Sequence, residues 1–116
     1  MDPRVELVEA FLRNIHSGQP MKAEIWLTKE ARTAEAFVAF GGLDSVIKQS
    51  TATADRHGGL RSVEVLSADI DGDGIFVRAK VRFNREDTSG VGVEPADQTI
   101  WEVRVVREEG RWKLDL

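Results

Sequence analysis

Residues 75–85 of the chain read IFVRAKVRFNR, and this stretch gives the clearest indication of the fold. Between positions 75 and 83 every odd-numbered residue is apolar, whereas the even-numbered residues are mostly cationic. Strict alternation of this kind is typical of a β-strand with one buried face and one solvent-exposed face. Residues 98–107, QTIWEVRVVR, repeat the pattern. The two stretches therefore predict neighbouring strands of an antiparallel sheet that has one dry face and one wet face.

The segment Asp71–Gly74 predicts a tight hairpin turn between a strand at 60–70 and the strand at 75–85. A two-residue loop at 72–73 predicts three pairs on the dry face, which are Ile70–Ile75, Ala68–Val77 and Leu66–Ala79. Farther back the apolar positions move to Val63 and Val65. This change of phase predicts a β-bulge near Val65 and Leu66.

A second hairpin is predicted at Glu109-Gly110, where the strand at 98–107 turns into a last strand that ends at Leu116. A two-residue loop there predicts the pairs Leu114–Val105, Leu116–Val103 and Asp115–Arg104. These pairs keep apolar residues on the dry face and set opposite charges side by side. The sheet is thus predicted to be a four-stranded antiparallel meander.

Upstream of the strands the spacing of apolar residues is helical. The predicted helical segments span 2–18, 21–27, 28–42 and 44–57. Asp2 and Pro3 mark the start of the first segment, as N-cap and first helical residue. Asp44 is predicted to be the N-cap of the last, after the glycine pair 41–42 that ends the third. These helices are available to cover the dry face of the sheet.

Composition bounds the class of protein. The 116 residues are expected to form one domain, 1–116, and 41% hydrophobic with 31% charged residues is typical of a soluble globular protein. A net charge of −4 argues against general nucleic-acid binding, which depends on cationic contacts to phosphates. No apolar run approaches the length of a membrane span, and no secretory signal is recognised near Met1. A cytoplasmic location is therefore expected of the chain as written, with export after removal of a leader left open.

Two stretches resemble a known family: GGLRSVEV at 58–65, which leads into the first strand, and GRWKLD at 110–115, which closes the sheet. With helices first and a Gly-Asp turn between, the chain resembles the nuclear transport factor 2-like (NTF2-like) superfamily. Within it, the chain is most similar to small bacterial lumazine-binding-like domains of unknown function. The resemblance implies a cone-shaped α+β fold, in which N-terminal helices pack on a strongly curved sheet that can leave a pocket at one end. It also implies homodimerisation through the sheet.

The superfamily contains both enzymes and binding domains, so the resemblance does not choose an activity. Its cofactor-free isomerases combine a carboxylate base with buried donors, commonly tyrosine, but this chain has no tyrosine. The dry face of the middle strands carries no acid or base. His16 and His57 lie near the ends of predicted helices, where a capping or surface role is the favoured interpretation of each. His57 and Asp44 are weak catalytic candidates, and no cofactor is expected.

The segment Asp69–Gly74 also matches the first half of an EF-hand calcium loop. Position twelve of such a loop is Lys80, where a bidentate glutamate is required, and a strand replaces the exiting helix. The hairpin turn explains the same residues, so no metal site is predicted.

Two surfaces carry candidate binding residues. The candidates for a ligand pocket at the cone mouth are Trp26, Phe37, Phe40 and Trp101, although core packing is the simpler interpretation of the tryptophans. The candidates for an interface on the nominally wet face mix apolar and charged side chains: Phe76, Arg78, Lys80, Ile100, Glu102 and Arg104. The patternless loop 86–97 is expected to be mobile or functional.

Two functions stay open from the sequence. The favoured one is a non-catalytic binding or assembly module that uses the sheet face for self-association or a protein partner, with a small apolar ligand in the cone pocket. The alternative is a cofactor-independent lyase, isomerase or hydrolase that acts on a small apolar substrate there, with His57 or Asp44 as base. A buried histidine or carboxylate that lines a deep pocket would overturn the non-catalytic function.

Overall fold

The computed structural model describes residues 2–85 and 97–116. Helices precede strands along these residues: α1 Pro3–His16, α2 Ala23–Trp26, α3 Lys29–Thr33, α4 Glu35–Phe40, α5 Gly42–Arg56, β1 Leu60–Asp71, β2 Gly74–Phe83, β3 Gln98–Glu108 and β4 Arg111–Asp115. The strands form one antiparallel sheet in the order β1-β2-β3-β4. The predicted α+β class, with N-terminal helices on a four-stranded meander, is confirmed. Of the loop predicted at 86–97, only Asp97 lies within the described residues.

Helix α1 lies on the dry face of the sheet and is in contact with all four strands and with α5. Its start is fixed as predicted, because the Asp2 carboxylate accepts a hydrogen bond of 2.9 Å from the backbone N–H of Arg4. Its buried face consists of Val8, Phe11, Leu12, Ile15 and His16. The apolar residues of this face, together with the odd-numbered residues 75–83 of β2 and with Val103 and Val105 of β3, form most of the hydrophobic core.

The predicted register of the first hairpin is confirmed at its tip and wrong farther back. Ile70 pairs with Ile75 and Ala68 with Val77, but Ala79 pairs with Val65 rather than Leu66. Leu66 is the extra residue of the predicted bulge, so it has no partner opposite on β2. Ile70 is also not on a dry surface, since 78% of it is exposed.

The second hairpin pairs Arg104 with Asp115 and Val105 with Leu114, as predicted. The pair predicted between Leu116 and Val103 is wrong, because β4 ends at Asp115 and Leu116 is exposed. Beyond β4 the sheet does not end in a bare edge, since the backbone N–H of Thr28 donates to the Leu114 carbonyl at 3.0 Å.

Two helix predictions are wrong. The segment predicted as one helix over 28–42 is two, because Ala34 has an extended backbone (φ −56°, ψ 132°) that separates α3 from α4. Asp44 is not an N-cap, because α5 already begins at Gly42 and Gly41 takes the capping position with φ 115°. Asp44 lies in the first turn of α5 instead.

None of the helices in the described parts of the chain combines the length and apolar character needed to cross a bilayer.

Candidate ligand-binding cavity

A cavity of about 310 Å³ lies between the end of α1, the end of α4, α5 and β3. The residues that line it are His16, Phe40, Val46, Gln49, Ser50, Thr53, Thr99 and Trp101. Four of them belong to α5. Gln49, Ser50 and Thr53 follow Val46 by three, four and seven residues, which places all four on one face of that helix. The volume falls at the lower end of the range of small-molecule sites, about 300–1,000 Å³.

Aromatic rings form the floor and mouth of the cavity. The indole of Trp101 lies edge-on to the imidazole of His16, with ring centroids 6.0 Å apart. Behind them the buried ring of Phe83 lies 5.7 Å from the same imidazole. Phe40, the last residue of α4, is 47% exposed at the mouth. An apolar ligand that enters the cavity would cover this exposed ring.

The surface role considered for His16 is wrong, because its side chain is only 5% exposed and lies on the cavity wall. Its Nδ1 atom is 2.7 Å from the carbonyl oxygen of Leu12. A carbonyl oxygen only accepts hydrogen bonds, so Nδ1 carries the proton and donates it, and Nε2 is left as an acceptor. Burial lowers the pKa of His16, an effect that the Leu12 hydrogen bond partly opposes. The imidazole is therefore neutral at neutral pH.

The polar groups on the wall differ in whether the protein already satisfies them. The hydroxyl of Thr53 donates to the Gln49 carbonyl at 3.0 Å. In contrast, Nε2 of His16 and Oγ of the buried Ser50 have no hydrogen-bond partner within 2–85 and 97–116. The indole Nε1 of Trp101 is likewise buried without a partner in that part of the chain.

The two weak catalytic candidates lie elsewhere. His57 caps the end of α5, where its ring stacks on Phe83 at 4.9 Å and its Nδ1 lies 3.0 Å from the Arg85 carbonyl oxygen. It is buried but does not line the cavity. Asp44 is exposed and borders a separate polar recess of about 280 Å³ beside Lys22. The structure therefore brings neither His57 nor Asp44 to the cavity.

The four pocket candidates divide into two pairs. Phe40 and Trp101 line the cavity. Trp26 does not, because its ring packs 6.2 Å from that of Phe11 at the border of the core. Phe37 also packs against the core and is not part of the wall. Helical spacing alone could have indicated His16, since it follows Val8 and Leu12 at intervals of four residues on the buried face of α1.

The predicted interface residues share the outer face of the sheet. Phe76 and Ile100 are 37% and 40% exposed there, and Lys80 lies opposite Ile100. The ion pair Arg78–Glu102 has an N···O distance of 3.8 Å. Arg104 lies 3.0 Å from a carboxylate oxygen of Asp71 and 3.8 Å from one of Asp115.

The segment Asp69–Gly74, which matches half of a calcium loop in sequence, contains a hairpin turn. Asp71 pairs with Gly74 across the loop 72–73, as predicted, and its carboxylate contacts Arg104. The residues that the structure describes contain no cluster of three His, Asp or Glu side chains placed to hold a metal ion.

In the described part of the chain, helices α1 to α5 cover one face of an antiparallel meander and leave a cavity between helices and sheet. This arrangement defines an α+β cone with a pocket. A crystal structure from Campylobacter jejuni, described as a "putative NTF2-like transpeptidase", has this architecture: it matches with a TM-score of 0.72 and 18% identity, over 100% of this chain and 99% of that one. The chain therefore has the NTF2-like fold, as the sequence resemblance implied. At 18% identity the likeness concerns the fold alone, and the nearer likeness to lumazine-binding-like domains stays a prediction. No protein-family model and no curated protein sequence matched the chain.

Proposed function

We propose that this protein binds a small, mostly apolar molecule in the cavity between α1, α4, α5 and β3. The observation that carries the proposal is the wall itself, in which Phe40, Val46 and Trp101 surround a volume of about 310 Å³. Sites for small molecules are typically concave and apolar, with a few polar groups that orient the ligand. Nε2 of His16 and Oγ of Ser50 supply such groups.

Replacing Phe40 by alanine is expected to weaken the binding of 2-methoxynaphthalene, an uncharged bicyclic probe, about fivefold. The variant lacks the half-exposed ring of Phe40, and the loss of its contact with the probe is expected to cost roughly 1 kcal/mol of binding free energy. This is a fraction of the burial free energy of a fully buried phenylalanine. The dissociation constants can be measured by NMR titration, in which the indole N–H signal of Trp101 reports binding in the cavity.

Val38→Ala is the matched control, because Val38 is an exposed apolar residue of the same helix that does not line the cavity. Its affinity for the probe should equal that of the wild type. The proposal fails if neither the probe nor its hydroxyl analogue 2-naphthol binds, or if binding shifts signals far from Trp101 while Phe40→Ala has no effect.

Catalysis is the less well supported function of the cavity. His16 is a buried histidine on the wall, and such a residue in a deep pocket was expected to overturn a non-catalytic function. Acid–base catalysis, however, commonly needs a further group that orients the base or stabilises developing charge. His16 is the sole titratable side chain among the described wall residues, and it is held by a backbone carbonyl rather than a carboxylate. This arrangement supports binding better than turnover.

A second function, self-association through the outer face of the sheet, is favoured by one observation. Phe76 and Ile100 are large apolar side chains left partly exposed among charges of both signs. In a symmetric dimer the same patch meets itself. A surface that carries Arg78 beside Glu102 can therefore be complementary to its own copy.

Replacing Phe76 by aspartate is expected to raise the dissociation constant of the dimer at least tenfold, because it removes a central apolar contact and buries a charge. Sedimentation equilibrium measures the effect. Ile70→Asp is the control, since Ile70 is an exposed apolar residue of the same sheet outside that face. A wild-type protein that stays monomeric at the highest accessible concentration would rule out the dimer.

A further inference from the structure

Apart from the fully buried indole Nε1 of Trp101, two buried residues on the cavity wall present hydrogen-bonding atoms that lack a protein partner. Nε2 of His16 and Oγ of Ser50 make no hydrogen bond to any residue in the described ranges, although both side chains are at least nine-tenths buried. Neither atom is among the fully buried polar atoms without a partner, so both are accessible from the cavity. A water molecule or the polar group of a ligand in the cavity can therefore supply the partner.

The chemistry of the two groups defines what that partner is. Nε2 accepts a hydrogen bond, because Nδ1 donates its proton to the Leu12 carbonyl. The Ser50 hydroxyl can donate as well as accept. A hydroxyl group combines both functions in one atom, whereas an ether or carbonyl oxygen only accepts and leaves Nε2 without a donor.

Charge on the ligand is disfavoured. Among the described residues on the wall there is neither a carboxylate nor a Lys or Arg that would pair with an ion. A charged group would lose its hydration without compensation.

We propose that the cavity recognises an uncharged apolar alcohol or phenol, whose hydroxyl group donates a hydrogen bond to Nε2 of His16 and accepts one from Oγ of Ser50. This inference rests on the proposed binding function of the cavity, and it adds the polar group that the ligand must carry. Phenols suit the site particularly well, because they are strong hydrogen-bond donors and bring an aromatic body that can pack against Trp101 and Phe40.

The test compares 2-naphthol with its methyl ether, 2-methoxynaphthalene, by NMR titration at neutral pH. The two probes share the ring system and the oxygen atom, but only the naphthol donates a hydrogen bond. The wild type is expected to bind the naphthol about 3- to 10-fold more tightly, the effect of one neutral hydrogen bond. In His16→Phe, which keeps a ring against Phe83 and Trp101, this preference should disappear.

Ser50→Ala provides a second and gentler variant, in which the naphthol preference should fall while the affinity for the ether stays unchanged. It also keeps the proposal testable if His16→Phe does not fold. Equal binding of the two probes to the wild type overturns the hydroxyl assignment alone and leaves the proposed function standing. A naphthol preference that persists in both variants also overturns it. If neither probe binds, the assignment and the proposed function fail together.

Discussion

Gly74→Ala is expected to lower the free energy of unfolding by about 3 kcal/mol, the upper part of the range for overpacking a buried position. Gly74 is the first residue of β2, is buried, and pairs with Asp71 across the hairpin. A Cβ atom built there would overlap the carbonyl oxygen of Val105 on β3, and would lie 3.3 Å from a side-chain carbon of Val106. Because the overlap is with backbone, no side-chain rotation relieves it, and the strands must move apart. Urea unfolding monitored by tryptophan fluorescence measures the loss.

Gly72→Ala is the matched control, two residues away in the same turn. Gly72 has φ 60°, so alanine there is strained, but nothing lies within 4 Å of the added Cβ atom. The strain of a left-handed residue costs about 1–2 kcal/mol, so this variant should lose clearly less stability than Gly74→Ala. Equal losses in the two variants would mean that turn conformation, and not the contact with β3, is what requires Gly74.

Alternation of apolar and polar residues was sufficient to predict most of the sheet. Between β2 and β3 it identifies the residues that face the core, and the hairpin at 109–110 has the predicted pairs of Arg104 and Val105. The same signal could not place the bulge to the residue. Leu66 and Val65 are both apolar, and a period of two does not say which of them is the extra one.

The close approach of Gly74 to the Val105 carbonyl could not be predicted from local pattern, because Val105 lies on a third strand. The break at Ala34 is similar, because alanine favours helix and neither Gly nor Pro marks the boundary. At the start of α5, positive φ angles at Gly41 and Gly42 decide where the helix begins, ahead of the side chain of Asp44. In each case tertiary packing or backbone conformation outweighed side-chain preference.

Only part of the candidate site could be predicted from the sequence. The aromatic character of Phe40 and Trp101 suggested a pocket, and both lie on the cavity wall. Ser50 gave no signal of its own, because a serine on a helix resembles any surface residue until its neighbours are known. The position of His16 near a helix end favours a capping or surface role, yet its side chain projects from the buried face of α1 toward β2 and β3. The end of α1 lies over β2 and β3, so His16 is buried there although it is near a helix end.

The largest loss of stability is expected for Phe83→Ala, about 3–5 kcal/mol. Phe83 is the last residue of β2, and its ring is almost fully buried between the imidazoles of His57, 4.9 Å away, and His16, 5.7 Å away. Removing the ring takes away its burial and leaves a cavity that two histidines cannot fill without giving up their hydrogen bonds to the Leu12 and Arg85 carbonyls. The free energy of unfolding of a domain is typically about 5–15 kcal/mol, so this variant is expected to be near the limit of folding.

Two companion variants make the result interpretable. Phe83→Leu keeps most of the apolar volume and should lose less than about 1.5 kcal/mol. Phe76→Ala removes the same ring from the same strand, but on the outer face, where at a concentration that keeps the protein monomeric it should change stability by no more than about 1 kcal/mol. If Phe83→Ala and Phe76→Ala unfold at the same urea concentration, the ring between the two histidines is not a core contact, and the position of His16 on the cavity wall needs another cause. If only Phe83→Ala is strongly destabilised, then Phe83 is a core residue that also contacts His16 on the cavity wall, so the core and the candidate site share this residue.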